Sequence, residues 1–468
     1  VAVVESSTAA GLELWLAEWH NGGTMTKKVK QVVELARRVG ARDGADARVV
    51  ERFQDRYHEL DADSRLELYR WLSSELEVDR AAMAAPFDAV RKASEEDRGD
   101  WNARLRDLRR AMSSPRQRLF EALINTTGGM EFVLELRAEV LDAQRQGEEG
   151  LDALEEDIAH LLNRWCQHRL LFLEEIDLGS SFETIRFLKE REMVHPMVGL
   201  EEMGQRLGQD RMCFALHHVA MPEQPVVFIE VALSRGLMRS IHDVIDAGDQ
   251  SRRAVKGPDT AIFYSINNTQ NGLAGLGLGQ VLILRVTEAL RSRHPSLRTF
   301  ATLSPIPGFW GRYLRPILEG RDGKFRLKRS DVVRGFSDKA QALVRSRAGG
   351  SAGQRQDFTE ALLAVLSQPD WLDDRALAAA LRKPLVDLAF GYIAREKDAR
   401  GKPLNPVAGF HLGNGAAVAR TNVNFAANRS PRGMAESCGL MVNYVYSQKA
   451  LAPLGRAVRS LLPWSRRH

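Results

Sequence analysis

The sequence predicts an α+β protein, an all-α helical bundle followed by a mixed-sheet domain, and three observations predict it. The first is proline usage. Only Pro86 and Pro115 precede His195, while the other fifteen of the seventeen prolines fall from Pro196 onwards. A proline-poor stretch leaves helices uninterrupted, because an interior proline removes a backbone donor and clashes with the preceding turn. The second is apolar period. "DSRLELYRWLSSEL" places Leu66, Tyr69, Leu72 and Leu76 on one helical face behind an Asp/Ser start signal, and "GLDALEEDIAHLLNRWCQHRLLFL" repeats the pattern with Leu154, Ile158, Leu161, Leu162 and Trp165. The third is a change of texture from about Glu192 to short β-rich runs: "CFALHHVA", "PVVFIEVAL", "TAIFYSIN", "PVAGFHL" and "GLMVNYVYS".

These observations divide the chain into residues 1–190, a helical bundle whose apolar stripes serve its core or self-association, and residues 191–468, the sheet domain. Within the second part a helix follows Gly279, with Leu278, Leu282, Val286, Ala289 and Leu290 along one face. A mostly helical insertion of about 330–398 separates the strand before Ser304 from the run that carries His411. Its "SRAGGSAGQRQ" reads as a loop within the domain.

Composition excludes several classes. With 44% hydrophobic and 27% charged residues in 468, the chain is neither disordered nor fibrous. A net charge of +5 suits an anionic ligand, and no RNA-binding or zinc-finger signature calls for nucleic acid. Cys166, Cys213 and Cys438 stand far apart without a CxxC, which points to a reducing compartment and away from a structural zinc site. No apolar run is long enough to span a bilayer and no basic-then-apolar leader opens the chain, so a cytoplasmic protein is expected. The basic "RAVRSLLPWSRRH" near the end reads as a solvated tail.

Three stretches can carry chemistry. In "TFATLSPIPGFWGRYL" a strand ends near Ser304, and Pro305 and Pro307 forbid both a helix and a continuing ladder. The hydroxyl is held stiffly, which fits either a local backbone cap or a reactive serine. "NTQNGLAGLGLGQVLILRV" puts Gly272, Gly275, Gly277 and Gly279 between a strand and a helix, where backbone N–H groups can cradle a phosphate or pyrophosphate. It lacks the Gly-Lys-Ser/Thr end of a nucleotide loop. "NPVAGFHLGNGAAVAR" places His411 on or at the end of a short strand, 107 positions beyond Ser304. His217 and His218 alternate along a strand and should face opposite sides, which makes a shared metal site improbable. Tyr444 and Tyr446 should share a strand face, where either phenol could orient a carboxylate or thioester.

Taken together, "HPMVGLEEMGQRLGQDRMCFALHH", "EVALS", "AIFYSINNTQNGLAGLGLG", "TLSPIPGF", "NPVAGFHLGNGA" and "SCGLMVNYVY" resemble the malonyl-CoA decarboxylase family, in order and approximate spacing, from about His195 to Tyr446. The resemblance implies an N-terminal helical bundle before an acetyltransferase-like (GNAT-type) domain, and a carboxy-lyase of fatty-acid and malonate metabolism that turns malonyl-CoA into acetyl-CoA and carbon dioxide. It implies no metal, biotin or pyridoxal, no cofactor beyond the CoA of the substrate, and a homo-oligomer, a tetramer. It places the catalytic serine on Ser304, as proton acceptor and hydrogen-bond partner of the carboxylate, and the catalytic histidine on His411, as proton donor. The active-site tyrosine falls on Tyr446, with Asn443 beside it. The acyl-CoA loop falls on Ala274, Gly275, Leu276, Gly277, Leu278, Gly279 and Gln280. One departure stands out: animal members carry a glutamate where this chain has Gly277.

The residue types suit that chemistry, since a malonyl thioester contains its own electron sink and the protein need only orient, desolvate and protonate. Two rivals remain at the level of sequence. Another acyl-CoA enzyme, an acetyltransferase or thioesterase, could use the same pocket, although no G-x-S-x-G elbow is present. A CoA-sensing scaffold without catalysis is the other.

Overall fold

The computed structural model describes residues 25–41, 46–93, 98–166, 170–197, 199–208, 210–245, 255–349, 357–399 and 401–447. The chain divides into two compact units: Val1–Gln167 with Gln270–Leu276, and His168–Thr269 with Gly277–His468.

The first unit is helical, as its periodicity requires. Its helices run Lys27–Gly40, Ala47–His58, Ala62–Glu75, Arg80–Lys92, Arg98–Ala111, Pro115–Ile124, Gly129–Arg145 and Asp152–Trp165. The third of them starts ahead of the expected Asp63-Ser64 signal, which lies inside its first turn: Asp61 is the cap, its carboxylate accepting the Ser64 N–H at 2.9 Å. Tyr69, Leu72 and Leu76 are buried with Leu68 and Trp71, and so are Leu154, Ile158, Leu161 and Leu162. The segment 270–276 belongs to this unit for a specific reason. Buried Arg137 donates to the carbonyls of Gly272 and, at 2.9 Å, Ala274, and pairs with Glu155 at 2.6 Å. A Cβ at Gly272 would lie 2.0 Å from the Leu134 carbonyl oxygen, so only glycine fits there.

The second unit is built on a seven-stranded sheet of order β1-β2-β3-β4-β5-β10-β7. Its strands are β1 Leu171–Ile176, β2 Arg211–His218, β3 Met221–Ser234, β4 Thr260–Asn268, β5 Thr299–Thr302, β7 Ala416–Ala417 and β10 Val445–Tyr446. The helical pattern expected to run on through "HRLLFL" stops at Trp165, and Leu171, Phe172 and Leu173 open β1 instead. Because β1 pairs with β2 along six residues, from Leu171↔His218 to Ile176↔Cys213, the sheet unit starts at His168, before the change of texture near Glu192. All pairings are antiparallel except β4 with β5, which are joined through the helix Leu278–Arg293.

The two faces of this sheet differ. Gly279 of the connecting helix approaches Ile266, and Arg291 lies 5.0 Å over the Phe300 ring, so that helix covers the face of Ile266 and Phe300. On the opposite face Leu188 and Met203, from helices Phe182–Arg191 and Leu200–Arg206, pack on Ile176, Cys213, Ala215 and Phe228. Ile262, Tyr264, Ala232 and Ala301 continue that layer. His217 and His218 do face opposite ways: the His217 Nδ1 meets the Pro222 carbonyl at 2.9 Å, and the His218 Nδ1 accepts the Ala220 N–H at 3.1 Å.

A second, three-stranded sheet of order β6-β9-β8 joins β6 Ser304–Pro305, β9 Met441–Val442 and β8 Val423–Asn424. The expected insertion is helical, with helices Arg329–Arg334, Asp338–Arg347, Phe358–Leu366 and Arg375–Ala394. Most of its "SRAGGSAGQRQ" and all of "RAVRSLLPWSRRH" lie outside the described residues.

Candidate active site

Ser304 stands where the chain changes sheets. The β4–β5 pairing ends at Phe263↔Thr302, with a last bond from the Leu303 N–H to the Phe263 carbonyl at 3.0 Å. Ser304 and Pro305 then pair with Val442 and Met441. The expectation that these prolines end all pairing is therefore corrected. Pro305 sits on the edge strand of a small sheet, where a missing N–H costs nothing. Beyond Phe263, β4 runs on to Asn268 while β5 has turned away, and among the described residues no strand pairs with that edge.

His411 is not on a strand. It lies on the helix Pro406–Gly413, which Asn405 caps through its side-chain oxygen and the Ala408 N–H at 2.8 Å. The Asn-Pro pair, an N-cap followed by proline at the first helical position, was the signal that outweighed the apolar run.

The two catalytic candidates meet. His411 Nε2 lies 3.3 Å from Ser304 Oγ, and His411 Nδ1 lies 2.8 Å from the Tyr446 hydroxyl. Tyr444 stacks on the imidazole with ring centroids 4.7 Å apart, and Phe410 meets it edge-on at 4.9 Å. Ser304 Oγ donates to Thr302 Oγ1 at 2.9 Å, and the Thr302 hydroxyl also accepts the Tyr444 N–H at 3.1 Å. Burial alone pushes the His411 imidazole down to about 3 and raises the Tyr446 phenol far above its usual range. Both are therefore neutral at pH 7. A protonated phenol donating to Nδ1 leaves the proton of a neutral imidazole on Nε2, facing Ser304, whose own proton goes to Thr302. The result is one directed chain: Tyr446 to His411 to Ser304 to Thr302.

Asn443 is close but does not touch the pair. Its Nδ2 donates to the carbonyls of Thr302 at 2.6 Å and Met238 at 3.0 Å, and its Oδ1 accepts from Asn424 Nδ2 at 2.7 Å. Its amide is used up in fixing the backbone that carries Thr302. Thr302 and the stacking Tyr444 are the neighbours that sequence reasoning underweighted. The i, i+2 spacing of Thr302 and Ser304, which puts both hydroxyls on one side of an extended chain, was the available sign.

The glycine-rich segment is shared between the units. Ala274, Gly275 and Leu276 belong to the helical one, and Gly277, Leu278, Gly279 and Gln280 to the other. Gly277, at φ +71°, caps the helix Leu278–Arg293 in a left-handed conformation that favours glycine. The first-turn N–H groups of Leu278 and Gly279 have no intrahelical acceptor. A Cβ on Gly279 would meet the Phe410 ring at 2.7 Å, which puts this helix N-terminus against the residue preceding His411.

A second polar cluster lies across the sheet. The Glu192 carboxylate accepts the N–H groups of Val194 at 2.8 Å and His195 at 2.7 Å, Ser265 Oγ at 2.6 Å and Asn267 Nδ2 at 2.8 Å. Arg206 binds Glu230 at 3.1 Å and Glu202 at 2.5 Å. Burial, reinforced by the Glu192 charge, pushes the Glu230 carboxyl up to about 8, while Arg206 pulls the other way. Burial, with the Arg206 and Arg432 charges, pushes His195 down to about 3. His195 Nε2, Arg206 Nε, Glu230 Oε1 and the Tyr264 hydroxyl are buried without a hydrogen-bond partner.

A mixed sheet whose parallel strands part beside a glycine-capped helix, with a neutral Ser–His–Tyr chain at the parting, defines the chain as an α+β protein with a buried, uncharged hydroxyl–imidazole–phenol site. Comparison with known proteins narrows the class. Residues 169–453 match the family model "Malonyl-CoA decarboxylase C-terminal domain", and residues 76–166 match "Malonyl-CoA decarboxylase N-terminal domain". The mitochondrial malonyl-CoA decarboxylase of Anser anser anser is 34% identical over 405 residues, 83% of this chain and 76% of the relative. That of Rattus norvegicus is 33% identical over 399 residues, 84% and 78%. The crystal structure of malonyl-CoA decarboxylase from Agrobacterium vitis superposes with a TM-score of 0.71 at 31% identity, covering 94% of this chain and 100% of that one. The one from Rhodopseudomonas palustris gives 0.69 at 29%, covering 92% and 96%. The chain belongs to the malonyl-CoA decarboxylase family. No helix among the described residues is long and apolar enough to cross a membrane.

Proposed function

We propose that Ser304 and His411 carry out the decarboxylation of malonyl-CoA to acetyl-CoA and carbon dioxide, with Tyr446 holding the imidazole. The observation that supports this most is the uncharged, buried chain from Tyr446 through His411 to Ser304. A triad built for nucleophilic attack sets a carboxylate behind its histidine to stabilise the imidazolium. Here a phenol stands in that place.

The reaction consumes one proton, and the geometry gives it an entry. When the malonyl carboxylate enters this desolvated corner its negative charge raises the imidazole pKa, and His411 takes a proton up with the substrate. Ser304 accepts the Nε2 hydrogen bond and turns its own hydroxyl onto the carboxylate. The bond between the carboxylate carbon and the methylene breaks, its electron pair passes into the thioester as an enolate, and carbon dioxide leaves. His411 then gives its proton to the methylene carbon. The thioester is the electron sink, so the step draws on no cofactor. The first-turn amides after Gly277 suit the pyrophosphate, and the open edge of β4 suits the amide-bearing arm of CoA.

The same reading includes a reducing compartment, supported by three buried unpaired cysteines, and self-association through the helical unit, where Arg80–Lys92 buries none of its residues and exposes Phe87. Purified protein incubated with malonyl-CoA and a chelator should give acetyl-CoA and carbon dioxide in equal amounts. Ser304→Ala and His411→Ala should each lower kcat by about 100-fold or more, the scale on which positioned acid–base groups act. Free CoA with malonate would make the chain a thioesterase instead.

A further inference from the structure

Neither Ser304 nor His411 sits on a long strand or helix of the main sheet, so something else must set the distance between them. Ser304 heads the turn Ser304-Pro305-Ile306-Pro307, and His411 lies on an eight-residue helix. The turn is stiff, because both prolines fix φ, and a shift at the Pro307 carbonyl is passed back to the serine. That carbonyl accepts two hydrogen bonds. One comes from Asn405 Nδ2 at 3.1 Å and the other from the Tyr392 hydroxyl at 3.1 Å.

Asn405 is the residue that caps the His411 helix, and it is fully buried, with 0% exposure. Its amide orientation is fixed by its partners: the Ala408 N–H can only donate, so the oxygen faces the helix and the nitrogen faces Pro307. One amide therefore grips the serine turn with one atom and the histidine helix with the other. Tyr392 braces the same carbonyl from the helix Arg375–Ala394. Its ring stacks on Tyr313 with centroids 4.7 Å apart, and the Tyr313 hydroxyl is anchored on Glu396 at 3.1 Å.

We propose that Asn405 is a positioning residue of the decarboxylation, its amide setting the Ser304–His411 separation by tying the serine turn to the cap of the histidine helix, with Tyr392 as the second brace. Asn405 touches neither substrate nor the reacting atoms, and it acts through the two residues it aligns. The inference rests on the roles of Ser304 and His411 proposed above. Its expected size follows from geometry, since a displacement of about 1 Å between reacting groups costs about 100-fold in rate.

Two functions of one side chain can be separated. Asn405→Asp keeps the cap, because aspartate caps as well as asparagine, but turns an acceptor towards the Pro307 carbonyl. Tyr392→Phe deletes only the second donor. Steady-state kinetics on malonyl-CoA, run well below the melting temperature of each variant, should show kcat at least tenfold lower for Asn405→Asp and about threefold lower for Tyr392→Phe. KM should stay within about twofold in both. A merely structural role would lower the melting temperature and leave kcat of the folded protein at the wild-type value, and that result overturns the proposal. If Asn405→Asp fails to fold, Tyr392→Phe decides: a lowered kcat at unchanged KM supports the brace, and a wild-type kcat removes it. Ser304→Ala and His411→Ala in the same assay separate the two levels. Wild-type turnover by either would bring down the assignment of the site itself, whereas inactive alanine variants beside a fully active Asn405→Asp would bring down this inference alone.

Discussion

The two faces of the central sheet hold two buried polar clusters of opposite design. On the side of Phe263 and Tyr446, whose rings lie 6.4 Å apart, every polar atom of the Ser304–His411–Tyr446 chain has a partner and no group carries charge. On the side of Tyr264, the next residue along β4, ionisable groups are concentrated in Glu192, Arg206 and Glu230, and four buried polar atoms lack partners. A search for perturbed titratable groups alone would return both clusters, His411 in the first and His195 and Glu230 in the second. The residues proposed to break a carbon–carbon bond are at the first. Decarboxylation of a malonyl thioester brings its own charge, and a site that must receive an anion and desolvate it is served by neutral, aligned partners rather than by a standing ion pair.

The largest expected effects cross this contrast. Arg206→Met takes the hydrogen-bond donor from the buried Glu230 carboxyl and from Glu202 and should cost about 1–3 kcal/mol of stability in urea unfolding, with kcat of the folded protein unchanged. Tyr446→Phe should do the reverse, lowering kcat by about 10- to 100-fold for a stability cost of about 1–3 kcal/mol from the orphaned Nδ1. A folded Arg206→Met protein that has lost turnover would join the second cluster to the chemistry and dissolve the distinction.

His411 and Glu230 should respond to pH in opposite senses. His411 has a folded pKa of about 3 against about 6.5 unfolded, so its contribution is intact above pH 6.5 and is lost as pH falls towards 3. The unfolded chain binds the proton that the folded one refuses. Glu230 has a folded pKa of about 8 against about 4.5 unfolded, so its contribution is full below pH 4.5 and is lost as pH rises through 8. Urea unfolding at pH 5, 7 and 9 checks both signs, because carboxylates elsewhere titrate alike in all variants. At roughly 1.4 kcal/mol per pKa unit, His411→Gln should reduce the loss between pH 7 and 5 by about 2 kcal/mol, and Glu230→Gln should reduce the loss between pH 7 and 9 by about 1 kcal/mol. Parallel curves for wild type and both variants would mean that neither group changes protonation on folding.

Much of this was legible in the sequence wherever a local device carried it. Helical stripes such as Leu154, Ile158, Leu161 and Leu162 stand out because a period of 3.6 is imposed by burial on one side. Ser304 was marked by its prolines, and Gly277 by a conformation other residues avoid. His411 was placed on a strand because "PVAGFHL" is apolar and short, and at that length period cannot separate strand from helix. The Asn405-Pro406 cap decides it. What the sequence could not display was convergence. Nothing in its order says that the Asn443 amide goes to the backbone at Thr302, or that Asn405 reaches across to Pro307, because those bonds are made by tertiary packing.

The smallest effects test how the glycine segment reaches the dyad. Gly277 and Gly279 are two residues apart but constrained differently. A Cβ on Gly277 meets nothing within 4 Å, so Gly277→Ala pays only for its left-handed backbone, about 1 kcal/mol, and should act on KM for malonyl-CoA by loosening the first-turn amides. Gly279→Ala keeps the backbone but drives a methyl against Phe410, whose ring packs edge-on against His411. Its effect should fall on kcat, a few-fold decrease, with KM little changed. Melting temperatures with kcat and KM for the two variants would check this split. If Gly279→Ala moved only KM, as Gly277→Ala is expected to, Phe410 would transmit nothing to the histidine. The helix N-terminus and the dyad would then be independent parts of the same sheet face.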